Sequence, residues 1–159
     1  MNILFNISQI NINNIIFTDS KKNIIMDGNF TKIIYSNEII SANGIYIDFP
    51  ITIFPIIECI SGKYIVKFNT RDIDNATIIE SFSYLETQIL EYYKQFYNCT
   101  KTISTILHDQ LHHSNIKLHI VETQQTTSIT NPVKLFLKIS GIWETEKSVG
   151  ITYKIMEAL

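Results

Sequence analysis

The sequence predicts a mainly β fold with α content, of the OB-barrel kind, in which an amphipathic helix falls between the third and fourth barrel strands. Three observations carry this expectation. The apolar residues are rich in isoleucine, tyrosine and phenylalanine, whose β-branched and aromatic side chains suit the half-buried surface of a sheet. One central stretch changes its apolar period from two to steps of three and four. Strand-like runs lie on both sides of that stretch. At 159 residues, 45% hydrophobic and 18% charged, the chain is long and apolar enough for one packed domain, 1–159. Within it, residues 1–40 read as extension strands and 76–113 as a helical insertion.

The first extended pieces are residues 10–18, 32–35 and 45–49, separated by the turn dipeptides Asp27-Gly28 and Asn43-Gly44. Residues 51–60 and 63–68 flank Ser61-Gly62 and read as a hairpin. Pro55 has no N–H to donate, so it marks an edge position or a bulge there. From 76 to 97, Ile78, Phe82, Leu85, Ile89, Tyr93 and Phe96 form one helical face. Asn75 is placed to cap that helix, and Glu80, Glu86 and Glu91 fall among its polar positions. Ile103, Ile106, Leu107 and Leu111 suggest a shorter second helix starting near Lys101. Residues 122–131 have loop chemistry and lead into Pro132. Residues 133–143 and 149–156 return to β character around the polar turn 144–148.

Bulk properties exclude several classes. The most apolar stretch, 49–60, is too short to span a bilayer and contains Pro50 and Pro55. The first ten residues lack a basic region followed by a long apolar one, so no secretory leader is expected. Cys59 and Cys99 then read as reduced thiols in a cytosol. No phosphate-cradling glycine loop, dinucleotide fingerprint or nucleophile elbow occurs, so no enzyme activity and no cofactor are expected. His108 and His112 stand at i and i+4 beside Asp109 and His113, but H-E-x-x-H and paired cysteines are missing. Imidazole near a helix C-terminus explains them without a metal.

The most informative segment is Val133-Lys134-Leu135-Phe136-Leu137-Lys138-Ile139. Strand alternation sends Val133, Leu135, Leu137 and Ile139 to a core and Lys134, Phe136 and Lys138 to the other face. Such a stripe suits single-stranded nucleic acid, because a ring stacks on a base while flanking ammoniums meet phosphates. A solvated face with one exposed ring is the plain alternative. Tyr64, Lys67 and Arg71 offer similar groups near 63–68, and Tyr153 and Lys154 near the end. Trp143, the sole tryptophan, closes the Lys-Phe-Lys strand. Alternation prevents all nine from sharing one surface. The net charge of −2 argues against a generally basic binder, so phosphate contacts must come from a local cluster.

Two stretches carry a family resemblance. They are Phe30-Thr31-Lys32-Ile33-Ile34-Tyr35-Ser36 continuing to Asn43-Gly44-Ile45-Tyr46-Ile47-Asp48-Phe49-Pro50, and Leu137-Lys138-Ile139-Ser140-Gly141-Ile142-Trp143-Glu144 with Gly150-Ile151-Thr152-Tyr153-Lys154. Over roughly residues 30–157 the chain resembles the OB-fold single-stranded DNA-binding proteins of large cytoplasmic DNA viruses and of yeast cytoplasmic linear plasmids. That resemblance implies a replication protein that coats exposed strands in the cytoplasm without sequence preference. It makes single-stranded DNA the expected partner, with replication proteins or further copies of the chain as others. Many such proteins end in an acidic recruiting tail, whereas this sequence ends Lys154-Ile155-Met156-Glu157-Ala158-Leu159, so that role is not carried over. A structural or interaction subunit of a viral or plasmid assembly is the competing expectation.

Overall fold

The computed structural model describes residues 3–60, 63–119 and 134–157, leaving aside the side chains of 54–60 and 63. The expected turn at Ser61-Gly62, the loop 122–131, Pro132 and Val133 lie outside the described residues. Among the described residues, eleven strands and two α-helices follow in order: β1 (Ile15–Phe17), β2 (Lys21–Lys22), β3 (Asn29–Ser36), β4 (Ser41–Ala42), β5 (Ile45–Phe49), β6 (Ile53–Ile60), β7 (Lys63–Phe68), α1 (Ile73–Tyr97), β8 (Thr102–Ile103), α2 (Ile106–His112), β9 (Asn115–His119), β10 (Leu135–Glu144) and β11 (Ser148–Glu157). The class is therefore mainly β with two helices. No described helix is long and apolar enough to cross a membrane.

The strands join in one sheet with the order β1-β3-β10-β11-β9-β7-β6. β2 and β4 attach to β3, β5 to β10, and β8 to β11. β8 and β9 run parallel to β11, whereas the other pairs of strands are antiparallel. Among the described residues no pairing returns from β6 to β1, so the sheet is open. β3 lies within the stretch 1–40 and pairs directly with the central strand β10.

β10 changes neighbours along its length. Its first half, Leu135 to Ile139, pairs with β5, and its second half, Gly141 to Glu144, pairs with β3. The register against β11 slips between Ile139 and Gly141, which leaves Ser140 as the extra residue of a bulge. A bulge bends and twists its strand, here at the handover from β5 to β3. Pro55 sits in β6, at the end of the sheet order, within a second slip between Ile53 and Ile57. A missing ladder donor is tolerated at such a place.

Three local expectations need correction. Of the run 10–18 only Ile15–Phe17 is strand. Residues Ile7–Gln9 and Ile12–Asn14 are single 3-10 turns, whose backbone N–H groups donate to the side chains of Asn6 and Asn11. Asparagine offers the backbone this local alternative to a ladder. Second, α1 starts earlier than expected, with Asp72 accepting from Asn75 N–H at 3.0 Å. Asn75 is instead buried, clipping the helix to the preceding chain through Thr52 and Asn69. Third, the segment after Lys101 first adds the short strand β8 to β11, and α2 begins only at Ile106.

The core lies between the sheet and α1. Ile79, Phe82, Leu85, Ile89, Leu90 and Tyr93 of the helix meet the inward strand residues, with Phe82 edge-on to Phe49 at 4.9 Å. The predicted face is right through Tyr93 and fails at its end: Phe96 is 59% exposed. Glu86, expected among polar positions, is fully buried. Its carboxylate accepts from Leu107 N–H at 2.9 Å and His108 N–H at 2.8 Å, so it caps α2 from the neighbouring helix. Those N–H groups would otherwise be orphan donors at a buried helix start.

Candidate nucleic-acid interface

Alternation along each central strand divides the sheet into a face that meets α1 and a face turned away from it. On β10, Leu135, Leu137, Ile139 and Ile142 belong to the core, which leaves Phe136, Lys138 and Trp143 on the outer face. Lys134 immediately precedes them. β5 repeats the pattern: Ile45, Ile47 and Phe49 face inward, and Tyr46 and Asp48 face outward. On β11, Lys154 lies opposite Lys138, and Met156 lies opposite Phe136. β9 buries Ile116 and Leu118 and turns Lys117 and His119 outward.

The outer face groups its polar and aromatic residues into two ends. At one end Phe136 and Tyr46 have ring centroids 6.3 Å apart, and Lys138 Nζ stands 5.0 Å above the Tyr46 ring. Lys134 reaches Asp48 at 4.0 Å with its side chain 65% exposed, a weak pair that solvent screens. At the other end two rings lie on glycines. A Cβ on Gly150 would come within 2.2 Å of Trp143 Cζ2, and one on Gly141 within 2.4 Å of Phe30 Cζ. The Trp143 indole thus rests flat against β11, and its Nε1–H donates to Ile151 O at 3.2 Å. One flank of each ring is used by the sheet, and both residues remain partly exposed.

The nine residues singled out from the sequence therefore separate. Lys134, Phe136, Lys138, Trp143 and Lys154 come together on the outer face, and Lys67 joins them farther along, opposite Asn115 on β7 and β9. Phe136 is only 7% exposed, so it supports Tyr46 rather than offering an open ring. Tyr64 and Tyr153 face inward and pack against the core. Tyr153 donates its O–H to Gln110 of α2, and burial, with the nearby Glu86 charge, holds the phenol well above its usual range. Arg71 lies in the turn before α1, off the face, with its backbone N–H on Asn69.

Sequence reasoning missed Tyr46, Phe30, Lys32, Lys117 and His119. The signal for Tyr46 was present in Ile45-Tyr46-Ile47-Asp48-Phe49, whose strict alternation sends it to the same side as Lys138. Ile116-Lys117-Leu118-His119 carries the same pattern but is only four residues long and follows a helix. Burial, then the charges of Lys154 and Lys117, lowers the His119 pKa, so its imidazole stays neutral near pH 7.

Charge is distributed unevenly between the layers. Asp72, Asp74, Glu80, Glu91 and Asp109 are exposed on or beside the helices, whereas the outer face carries Lys32, Lys117, Lys138 and Lys154. A chain of net charge −2 thus presents a locally basic surface. On the inner side Glu144 and Tyr93 form one paired group. Glu144 accepts from Lys101 Nζ at 2.5 Å and from Tyr93 O–H at 2.8 Å. Burial pushes the Glu144 pKa up, but those two donors and the Lys101 charge outweigh it and hold it below the usual value. Burial pushes the Tyr93 phenol up to about 12, with the Glu144 hydrogen bond and charge adding to the rise and Thr31 opposing it.

His108 and His112 stack with centroids 4.0 Å apart, and their Nδ1 atoms turn to Ser83 Oγ and to His108 O. Among the described residues no third His, Cys, Asp or Glu completes a metal-binding group with them. Comparison of the chain with protein-family models, curated proteins and solved structures finds no match.

Proposed function

We propose that the outer face of β5, β10, β11 and β9 binds single-stranded DNA without sequence preference, as a non-enzymatic strand-coating protein in the replication of a cytoplasmic DNA replicon. The supporting observation is the juxtaposition of Lys138, Lys154 and Tyr46 at one end with the glycine-seated Trp143 at the other. Rings offer stacking platforms to any base, and ammoniums between them meet the phosphates. This pattern needs no base-specific hydrogen bonding. The OB-barrel architecture implied by the family resemblance belongs to this reading too. The proposed binding face itself needs no closure, because it is the side of the sheet turned away from α1.

Fluorescence anisotropy of a labelled oligo-dT in low salt tests the proposal. Saturable binding, weaker for a duplex of equal length and weakened by salt, is expected. No binding to oligo-dT at low salt contradicts it. One observation favours the alternative of an interaction subunit. Phe17 of β1 packs among Tyr92, Tyr93, Phe96 and Tyr97, and Phe96 and Tyr97 remain 59% and 41% exposed. A monomer by light scattering that ignores DNA and carries this aromatic end uncovered would support that reading.

A further inference from the structure

The edge of β11 next to β9 is interrupted. β8 pairs with Ser148 and Val149, β9 pairs with Ile155 and Met156, and between them no described strand covers residues 150–154. At about 3.3 Å per residue this window is about 16 Å long. A cleft of about 330 Å³ opens there, and Ile106, Gln110, Lys117, His119, Trp143 and Tyr153 are among the residues lining it. α2 supplies the floor, through Ile106 and Gln110, and β9 supplies the far wall.

The lining divides by chemistry. Ile106 and the Trp143 indole give apolar surface suited to the faces of a flat ring. Gln110 receives the Tyr153 O–H on its carbonyl oxygen, and its –NH2 makes no recorded hydrogen bond among the described residues. That amide is a hydrogen-bond donor on the lining of the cleft. Lys117 and Lys154 stand at the rim, on the outer face already described. The neutral His119 beside them adds a polar group without repelling them.

We infer that this cleft receives one nucleobase turned out of the strand bound on the outer face, with an acceptor of the base edge, a carbonyl oxygen or a ring nitrogen, on Gln110 and the adjoining phosphate on Lys117 and Lys154. This rests on the proposed single-strand binding. The volume exceeds that of a single flat base, so any of the four fits, in keeping with sequence-independent coating. The sole tryptophan lies at the junction of platform and cleft and reports on both.

The test combines a cleft-filling variant with photo-cross-linking. Ile106 is 36% exposed, so Ile106→Phe adds bulk to the cleft without entering the core. An oligo-dT and an abasic strand of equal length are titrated into both proteins. In the wild type, oligo-dT should bind tighter than the abasic strand. Ile106→Phe should weaken oligo-dT binding by about tenfold, the scale of one lost base contact, and leave abasic binding unchanged. A 5-iodouracil oligonucleotide should cross-link to Trp143, His119 or Tyr153. Unchanged oligo-dT affinity in Ile106→Phe, with cross-links confined to Tyr46, overturns the cleft and spares the outer face. Absence of binding by the wild type to either strand overturns both. Far-ultraviolet circular dichroism and the unfolding midpoint of Ile106→Phe separate a misfolded variant from a filled cleft, and Gln110→Ala, which adds no bulk, must then show the same selective loss.

Discussion

The two faces of the β10–β11 hairpin treat charge in opposite ways. On the inner face the ionisable groups packed against the hairpin include three that are tied to partners: Glu144 to Lys101 and Tyr93, Tyr153 to Gln110, and Glu86 to the start of α2. On the outer face Lys138 stands over the Tyr46 ring and, among the described residues, meets no acid, and Lys154 lies opposite Lys138 across the strand pair. Like charges opposite one another on a sheet are destabilising, so this arrangement has no role in holding the fold. The difference separates residues that maintain the structure from residues left available for an anionic ligand.

The sharpest way to break this contrast is on the inner face. Glu86→Ala strands two buried N–H donors at the start of α2 and should cost about 3 kcal/mol in urea unfolding. Glu86→Gln retains one acceptor oxygen and should cost clearly less. Neither touches the lysines of the outer face, so the salt slope of oligo-dT binding by the folded protein should stay unchanged, even where a loosened α2 at the cleft weakens affinity. A changed salt slope with intact stability would mean that the two faces are not independent.

Gly150→Ala lies between the two regimes. Its Cβ would collide with the indole, which must leave β11 and release Ile151 O. A destabilisation of about 1–3 kcal/mol is expected, with a shift in tryptophan emission and weaker oligo-dT binding. Full affinity with a displaced indole would remove Trp143 from the interface.

Lys138→Ala with Lys154→Ala acts on the outer face alone. Stability should change by less than about 0.5 kcal/mol, as for ordinary surface positions. The salt dependence of oligo-dT binding should flatten by about 1.4 in slope, about 0.7 for each lost phosphate contact on a single strand. An unchanged slope would show that these lysines do not meet phosphate.

The smallest effects are in pH. Tyr93, raised from 10 to about 12, favours the folded state while protonated; its contribution is complete below pH 10 and is lost as the pH climbs towards 12. Glu144 acts in the reverse direction. Its folded pKa is depressed, so its contribution is present above 4.5 and fades as the pH falls through the lower folded value. Tyr93→Phe should flatten the alkaline limb of the stability profile, and Glu144→Gln the acid limb. Limbs unchanged in these variants would place the titration elsewhere.

The legibility of the sequence follows the same division. Strict alternation was enough to separate Lys134, Phe136 and Lys138 from Leu135 and Leu137, because one residue of slip would have buried the lysines. It did not reveal that Phe136 would be covered or that Tyr46 would lie beside it, since pairing of β5 with β10 joins residues about ninety positions apart. The helix was readable from its period, but its start was not: Asp72 and Asn75 are both good caps, and contact with Thr52 decided between them. Glu86 looked like surface because its partners, the N–H groups of α2, come from another element. The strand β9 was missed because a four-residue alternation after a helix has too few periods to stand out, and with it went Lys117, His119 and the cleft.

The most direct test of the account is a titration of Trp143 fluorescence with oligo-dT at low salt, comparing the wild type with Lys138→Ala/Lys154→Ala. The account predicts saturable quenching in the wild type and about tenfold weaker binding, with the same endpoint, in the variant. Quenching that is absent in the wild type, or an oligo-dT affinity that is equal in both proteins, would contradict the assignment of the outer face to single-stranded DNA.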